Sequence, residues 1–144
     1  MSVVWGVTVD CADAGRVAAF WREALGYVEA PVPEGFASRE EWLLRWEVPA
    51  HEWGDAAYLV DPGGAGPSLT FLKVPESKVV KNRLHLDIKA AGRDAPQEVR
   101  EPRITGTVRR LVAAGATVVE EITADGVLSH VTMRDPEGNE FCVV

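Results

Sequence analysis

The strongest constraint on this chain is that one order of elements occurs twice. Residues 3–10 (VVWGVTVD) are rich in β-branched side chains and read as a strand. Asp13 then stands at a helix N-cap position. Val17, Phe20, Trp21 and Leu25 follow at helical spacing, and Gly26 supplies a stop. A short strand over 27–30 comes next, and residues 56–61 (AAYLVD) and 68–74 (SLTFLKV) complete the half. Between the last two lies Asp61-Pro62-Gly63-Gly64, where Pro sets one φ and Gly tolerates a positive one. The second half begins with a strand over 83–89 (RLHLDIK). Ile104, Val108, Leu111 and Val112 then form an apolar helical stripe, stopped by Gly115. Residues 116–121, 127–134 and 139–144 read as three strands, and the last turn is again Asp-Pro-x-Gly, Asp135 to Gly138.

A β-α-β-β-β unit therefore occurs twice, which is the mark of internal duplication. One unit alone cannot bury both its helix stripe and its sheet face. Two can, and they leave a concave sheet surface. The expected fold class is α+β, a single domain over residues 1–144 made of two βαβββ modules, 1–80 and 81–144. Residues 31–54 are an insertion in the first module. Ser38-Arg39-Glu40-Glu41 matches a capping box there, with Trp42, Leu43 and Trp46 at helical spacing, so a short extra helix is expected. Residues 90–103 are polar, hold two prolines, and read as a loop between the modules.

The totals exclude several functions. A chain of 144 residues can bury enough apolar surface to fold without disulfides or a structural metal. A formal charge of −7 argues against gripping nucleic-acid phosphates or an anionic membrane surface. Cys11 and Cys142 form no CxxC, hence neither a zinc ribbon nor a disulfide framework. With no signal-like opening and no apolar run of about 18 residues, the expected compartment is a reducing cytoplasm.

Three phrases in order carry a resemblance. Residues 10–26 (DCADAGRVAAFWREALG), 82–87 (NRLHLD) and 135–142 (DPEGNEFC) are similar to the glyoxalase / bleomycin-resistance / extradiol-dioxygenase, or vicinal oxygen chelate, superfamily, within it a glyoxalase-like subgroup. The resemblance spans nearly the whole chain. It implies two βαβββ modules forming a curled mixed sheet around a central pocket, with the helices outside. It does not imply one reaction, because this fold hosts several chemistries and pure binding proteins. Metalloenzymes of the superfamily take one ligand from each of four strands. In this sequence the corresponding places hold Gly6, Thr70, His85 and Cys142. Only two can ligate, and both carboxylates are missing. Mg²⁺ or Mn²⁺ requires oxygen donors, and zinc requires at least three protein ligands. The expectation is no metal and no cofactor.

Strand parity names the rest of the pocket face. If His85 points inward, so does Asp87. On the final strand Phe141 and Val143 suit the buried side, which leaves Glu140 and Cys142 with the pocket. Thr8 shares the parity of Gly6. A His next to an Asp reads either as a structural pair or as a ligand contact. Cys142 reads as a small apolar residue or a pocket contact, and Glu140 as a solvated carboxylate or half of an acid/base pair with Asp87. Trp42, Trp46 and Trp53 read as core packing or as stacking surfaces over the cavity. The candidate ligand-binding set is Thr8, Trp42, Trp46, Trp53, Thr70, His85, Asp87 and Cys142, and the candidate catalytic set is His85, Asp87 and Glu140. The expected partner is a small organic molecule, an antibiotic being one type, with the protein a homodimer and no nucleic acid or membrane involved. The alternative is a superfamily enzyme, a lyase, isomerase or dioxygenase, with an altered or absent metal site.

Overall fold

A computed structural model describes all residues from Met1 to Val144. The chain divides into two compact units, Met1–Arg22 with Gly26–Ser77, and Glu23–Leu25 with Lys78–Val144.

The first unit holds β1 (Gly6–Cys11), α1 (Ala14–Leu25), β2 (Val28–Glu29), α2 (Arg39–Arg45), a single 3-10 turn (Ala50–Glu52), β3 (Ala56–Val60) and β4 (Ser68–Lys73). Its sheet runs β1-β4-β3-β2, with β1 parallel to β4 and the other pairs antiparallel. Asp13 caps α1 by accepting from the Arg16 N–H at 3.0 Å, and Gly26 ends it at φ 69°. Leu59, Leu69 and Phe71 are buried together with Ala14, Val17, Phe20 and Trp21 of α1. Ser38 caps α2 through the Glu41 N–H at 3.1 Å, while the Glu41 carboxylate accepts from Ala37 N–H at 2.7 Å. The capping box thus reaches one residue further back than the standard form.

The second unit holds β5 (Asp87–Ile88), α3 (Gln97–Ala113), β6 (Thr117–Ala124), β7 (Val127–Arg134) and β8 (Glu140–Val143). Its sheet runs β5-β8-β7-β6, again with the first strand parallel to the last. Ile104 and Leu111 of α3 are buried with Val131, Met133, Phe141 and Val143. The two sheets have the same connectivity, so the fold is α+β with two βαβββ modules.

Three expectations need correction. The segment 90–103 is not all loop, because α3 starts at Gln97. Pro96, at φ −64°, stands at its N-cap, and Pro102 lies inside it. The strands expected over 3–10 and 83–89 are also shorter than their β-rich composition suggests. β1 begins at Gly6 because its partner β4 begins at Ser68, and the paired part of β5 is limited to Asp87 and Ile88 opposite Cys142 and Val143. A strand extends only as far as its partner does.

Candidate functional site

On the second module, alternation splits β8 cleanly. Phe141 and Val143 are buried, while Glu140 and Cys142 lie on the opposite face. The parallel register sets Asp87 beside Cys142, and the antiparallel one sets Thr132 on its other side. The Cys142 N–H donates to the Leu86 carbonyl at 2.9 Å and fixes that register. His85 lies two residues before β5, and its side chain reaches the same group. Its Nε2 lies 3.5 Å from Asp87 Oδ1. One donor atom each from His85, Asp87 and Cys142 gathers within 4.8 Å. Thr132 Oγ1 is 3.8 Å from Cys142 Sγ. The face therefore carries an imidazole, a carboxylate and a thiol, backed by a hydroxyl.

Glu140 shares the parity but has other partners. Lys78 Nζ lies 3.1 Å from its Oε2, and the Asn82 N–H donates to the same oxygen at 2.9 Å. Arg134 Nε is 3.9 Å away. Burial pushes the carboxyl up, but hydrogen bonds from the Asn82 N–H and the Lys78 ammonium outweigh it and hold its pKa at about 2. A carboxylate held this way is a poor proton acceptor near neutrality. It anchors the segment leading into β5.

The first module repeats the row with different chemistry. Thr8 is opposite Thr70, and Thr70 opposite Tyr58, where the second module has Asp87, Cys142 and Thr132. By this register Gly6 corresponds to His85. A Cβ at Gly6 would sit 2.5 Å from Ser68 Oγ and 3.1 Å from the Ser68 carbonyl oxygen, so a side chain at position 6 would have to displace the Ser68 hydroxyl, and glycine itself supplies no ligating group. The four places that the superfamily resemblance assigns to a divalent metal hold a glycine, a neutral hydroxyl, an imidazole and a thiol. This set does not fit an oxygen-seeking ion.

The first module also contains a cleft of about 840 Å³. Gly15, Ala18 and Arg22 of α1, Arg39, Trp42 and Leu43 of α2, Trp53, and Ala57 and Tyr58 of β3 are among its walls. The Trp53 indole donates to the Val48 carbonyl at 3.0 Å, which fixes its ring. Trp42 meets Tyr58 edge to face, with centroids 6.4 Å apart. The Arg39 guanidinium lies 5.5 Å from the Trp42 ring and 5.0 Å from the Tyr58 ring, and donates to the carbonyls of Ala30 and Pro31, each at 3.1 Å. Arg22 pairs with Glu29 at 3.5 Å and Lys73 with Asp55 at 3.3 Å.

The candidate residues thus sort into groups. His85, Asp87 and Cys142 come together on one sheet. Trp42 and Trp53 line the cleft. Trp46 is exposed, stacks with Arg45, and is not among the cleft's lining residues; nor are Thr8 and Thr70. Sequence reasoning missed Tyr58 and Arg39. Tyr58 was legible by parity, being out of phase with the apolar Leu59 in strand 56–60. Arg39 had no sequence signal beyond its place in the capping box.

The chain matches the family described as glyoxalase-like domain over residues 6–144. No curated protein sequence matches it. Among solved structures it is similar to a glyoxalase/bleomycin resistance protein/dioxygenase family enzyme from Burkholderia phytofirmans PsJN. That pair shares 18% identity and a TM-score of 0.61, over 99% of this chain and 97% of that one. A possible glyoxalase from Bacillus cereus gives 15% identity and a TM-score of 0.61, over 100% and 99%. A mutant of the fosfomycin resistance protein FosX from Listeria monocytogenes, complexed with Mn(II) and 1S,2S-dihydroxypropylphosphonic acid, gives 13% identity and a TM-score of 0.60, over 99% and 89%. The match across almost the entire sequence, on two modules of equal connectivity, makes this chain a member of the glyoxalase-like family within the vicinal oxygen chelate superfamily.

Proposed function

We propose that this chain binds, and sequesters, a small organic compound such as an antibiotic, without the oxygen-ligated catalytic metal of its enzymatic relatives. The observation that carries the reading is the aromatic cleft of the first module. Its volume, about 840 Å³, suits a small-molecule site, and Trp42, Trp53 and Tyr58 give it apolar walls. The acidic net charge first suggests a cationic ligand, but Arg39 already occupies the ring faces that would hold a cation. Its neighbours Arg22 and Lys73 are paired with carboxylates, whereas Arg39 is bound only to carbonyls. A flat compound, neutral or with one anionic group directed at Arg39, suits these walls better, since Glu40 and Glu52 also line the cleft. Burial of its apolar surface contributes roughly 25 cal/mol per Å² before the costs of association. The likeness to FosX is one of fold and names no ligand for this chain. The reading includes a cytoplasmic homodimer. Two free cysteines accord with a reducing compartment, and no helix is long and apolar enough to cross a membrane.

Screening planar aromatic compounds by tryptophan fluorescence and thermal shift tests the proposal. Trp42→Ala is expected to weaken a hit at least tenfold, and Arg39→Gln to weaken anionic hits more than neutral ones. If every hit binds wild type and folded Trp42→Ala and Trp53→Phe proteins equally, the cleft is not the site.

A second reading, an enzyme of the superfamily, is favoured by the His85–Asp87 pair at 3.5 Å next to Cys142. An imidazole oriented by a carboxylate can move a proton. With Glu140 committed to Lys78 and Asn82, this chemistry rests on His85 and Asp87. Turnover of a hit compound, lost in His85→Ala while binding persists, would select this reading.

A further inference from the structure

We propose that His85, Asp87 and Cys142 form a site for one zinc-class divalent metal ion, built within the second module alone. It concerns other residues than those of the cleft, and stands or falls apart from that reading.

The backbone does most of the placing. Asp87 and Cys142 are register partners on adjacent parallel strands, and His85, two residues before β5, brings its Nε2 to 3.5 Å from Asp87 Oδ1. All three donor atoms already lie within 4.8 Å of one another. In a tetrahedral zinc site, metal–ligand bonds of about 2.0–2.3 Å put the donor atoms roughly 3.3–3.6 Å apart. The His85–Asp87 pair, at 3.5 Å, meets this spacing as it stands. The remaining closure is at most about 1.2–1.5 Å, within reach of side-chain rotation. The His85 and Asp87 side chains are 47% and 50% exposed, so they are free to turn.

The donor chemistry selects the metal. One imidazole nitrogen, one carboxylate oxygen and one thiolate sulfur suit zinc and cobalt(II) and disfavour magnesium and manganese. Three protein ligands with the fourth position open is the pattern of sites that hold water or a substrate atom, not of closed structural sites. On binding, the metal–sulfur bond replaces the Cys142 S–H bond and the proton leaves to the buffer. The Thr132 hydroxyl, 3.8 Å from the sulfur, is placed to donate to the resulting thiolate. The site differs from a four-strand oxygen-rich centre because Gly6 has no ligating side chain and Asp87 supplies the third donor instead.

The test is cobalt(II) titration of the full chain after chelator treatment, under reductant. The expected result is one cobalt per chain with a near-ultraviolet sulfur-to-cobalt charge-transfer band. Zinc should displace the cobalt, and magnesium and manganese should not. Cys142→Ser should abolish the band. Cys11→Ser should keep it, since Cys11 is buried and faces the Leu72 carbonyl at 3.3 Å. His85→Ala and Asp87→Asn should each weaken binding tenfold or more, with circular dichroism confirming that each variant is folded. The proposal is overturned if wild type shows no band at one equivalent, or if the band survives Cys142→Ser. Unchanged affinity in both His85→Ala and Asp87→Asn would also overturn it, by reducing the binding to a thiol alone.

Discussion

Glu140 shows how one side chain can share a face with a candidate site and still do another task. Parity alone groups it with Cys142, and the structure keeps it there. Its partners are what decide its role: the Lys78 ammonium, the Asn82 N–H and, further off, the Arg134 guanidinium. These are long-range contacts with no local sequence signature, so no reading of spacing could find them. They make Glu140 a clamp on the segment before His85. Its pKa in the fold, about 2, lies below the ordinary 4.5, so its stabilising contribution is complete above pH 4.5 and is lost as pH falls toward 2. Glu140→Gln is therefore expected to cost about 1.5–3 kcal/mol at pH 7, as for hydrogen bonds to a charged group. The gap between wild type and variant should narrow steadily below pH 4.5. Urea denaturation at pH 7 and pH 3 measures both, and an equal gap at the two values would remove the clamp. Asp87 teaches the complementary lesson. Counting only the four superfamily places finds two metal donors, although parity already puts a third on the same face.

At the scale of elements, the turns were the most legible part of the sequence and α3 the least. Both Asp-Pro turns fold around their Asp. Asp61 accepts from the N–H groups of Gly63, Ala65 and Gly66 at 2.8–2.9 Å, and Asp135 from those of Glu137 and Asn139, both at 2.9 Å. The hydrogen bonds from Gly66 and Gly63 hold the Asp61 carboxyl below its usual pKa. This chemistry is local, within five residues, and local chemistry can be read from sequence. The first turns of α3 break the usual signals instead. Pro96 and Pro102 with a polar composition suggest a loop, but Pro96 has a helix-compatible φ of −64° and tertiary burial of Ile104 and Leu111 carries the rest. Pro102 is the sixth residue of the helix and cannot donate to the Glu98 carbonyl. Restoring that N–H by Pro102→Ala should stabilise the protein by about 1–2 kcal/mol, less than the full propensity gap because the unfolded chain gains freedom. The urea midpoint reads this directly; a lower midpoint would mean that the proline ring packs usefully.

For the whole molecule, the duplicated order was legible because each module repeats the same local grammar, and matching sheet connectivity follows from it. Which ligand chemistry each module carries was not, since it depends on what sits across the strands: Tyr58 beside Thr70 in one, Thr132 beside Cys142 in the other. Exposed apolar residues bear on assembly. Val79, Val80 and Leu84 are 87%, 74% and 89% exposed within six residues, and Val4 and Trp5 are exposed in the first unit. Scattered apolar residues are normal on a surface, but three large ones so close in sequence favour a covering partner. A second copy of the chain is the simplest occupant, and the net charge of −7 is modest enough not to prevent self-association at physiological ionic strength. Sedimentation at tens of micromolar is expected to give twice the 15.7 kDa chain mass. Val80→Asp with Leu84→Asp should shift it to one chain mass while the far-ultraviolet spectrum stays folded, because burying those two charges in an interface is costly. A wild-type protein that sediments as a single chain throughout would leave these side chains without a partner copy and end the dimer proposal.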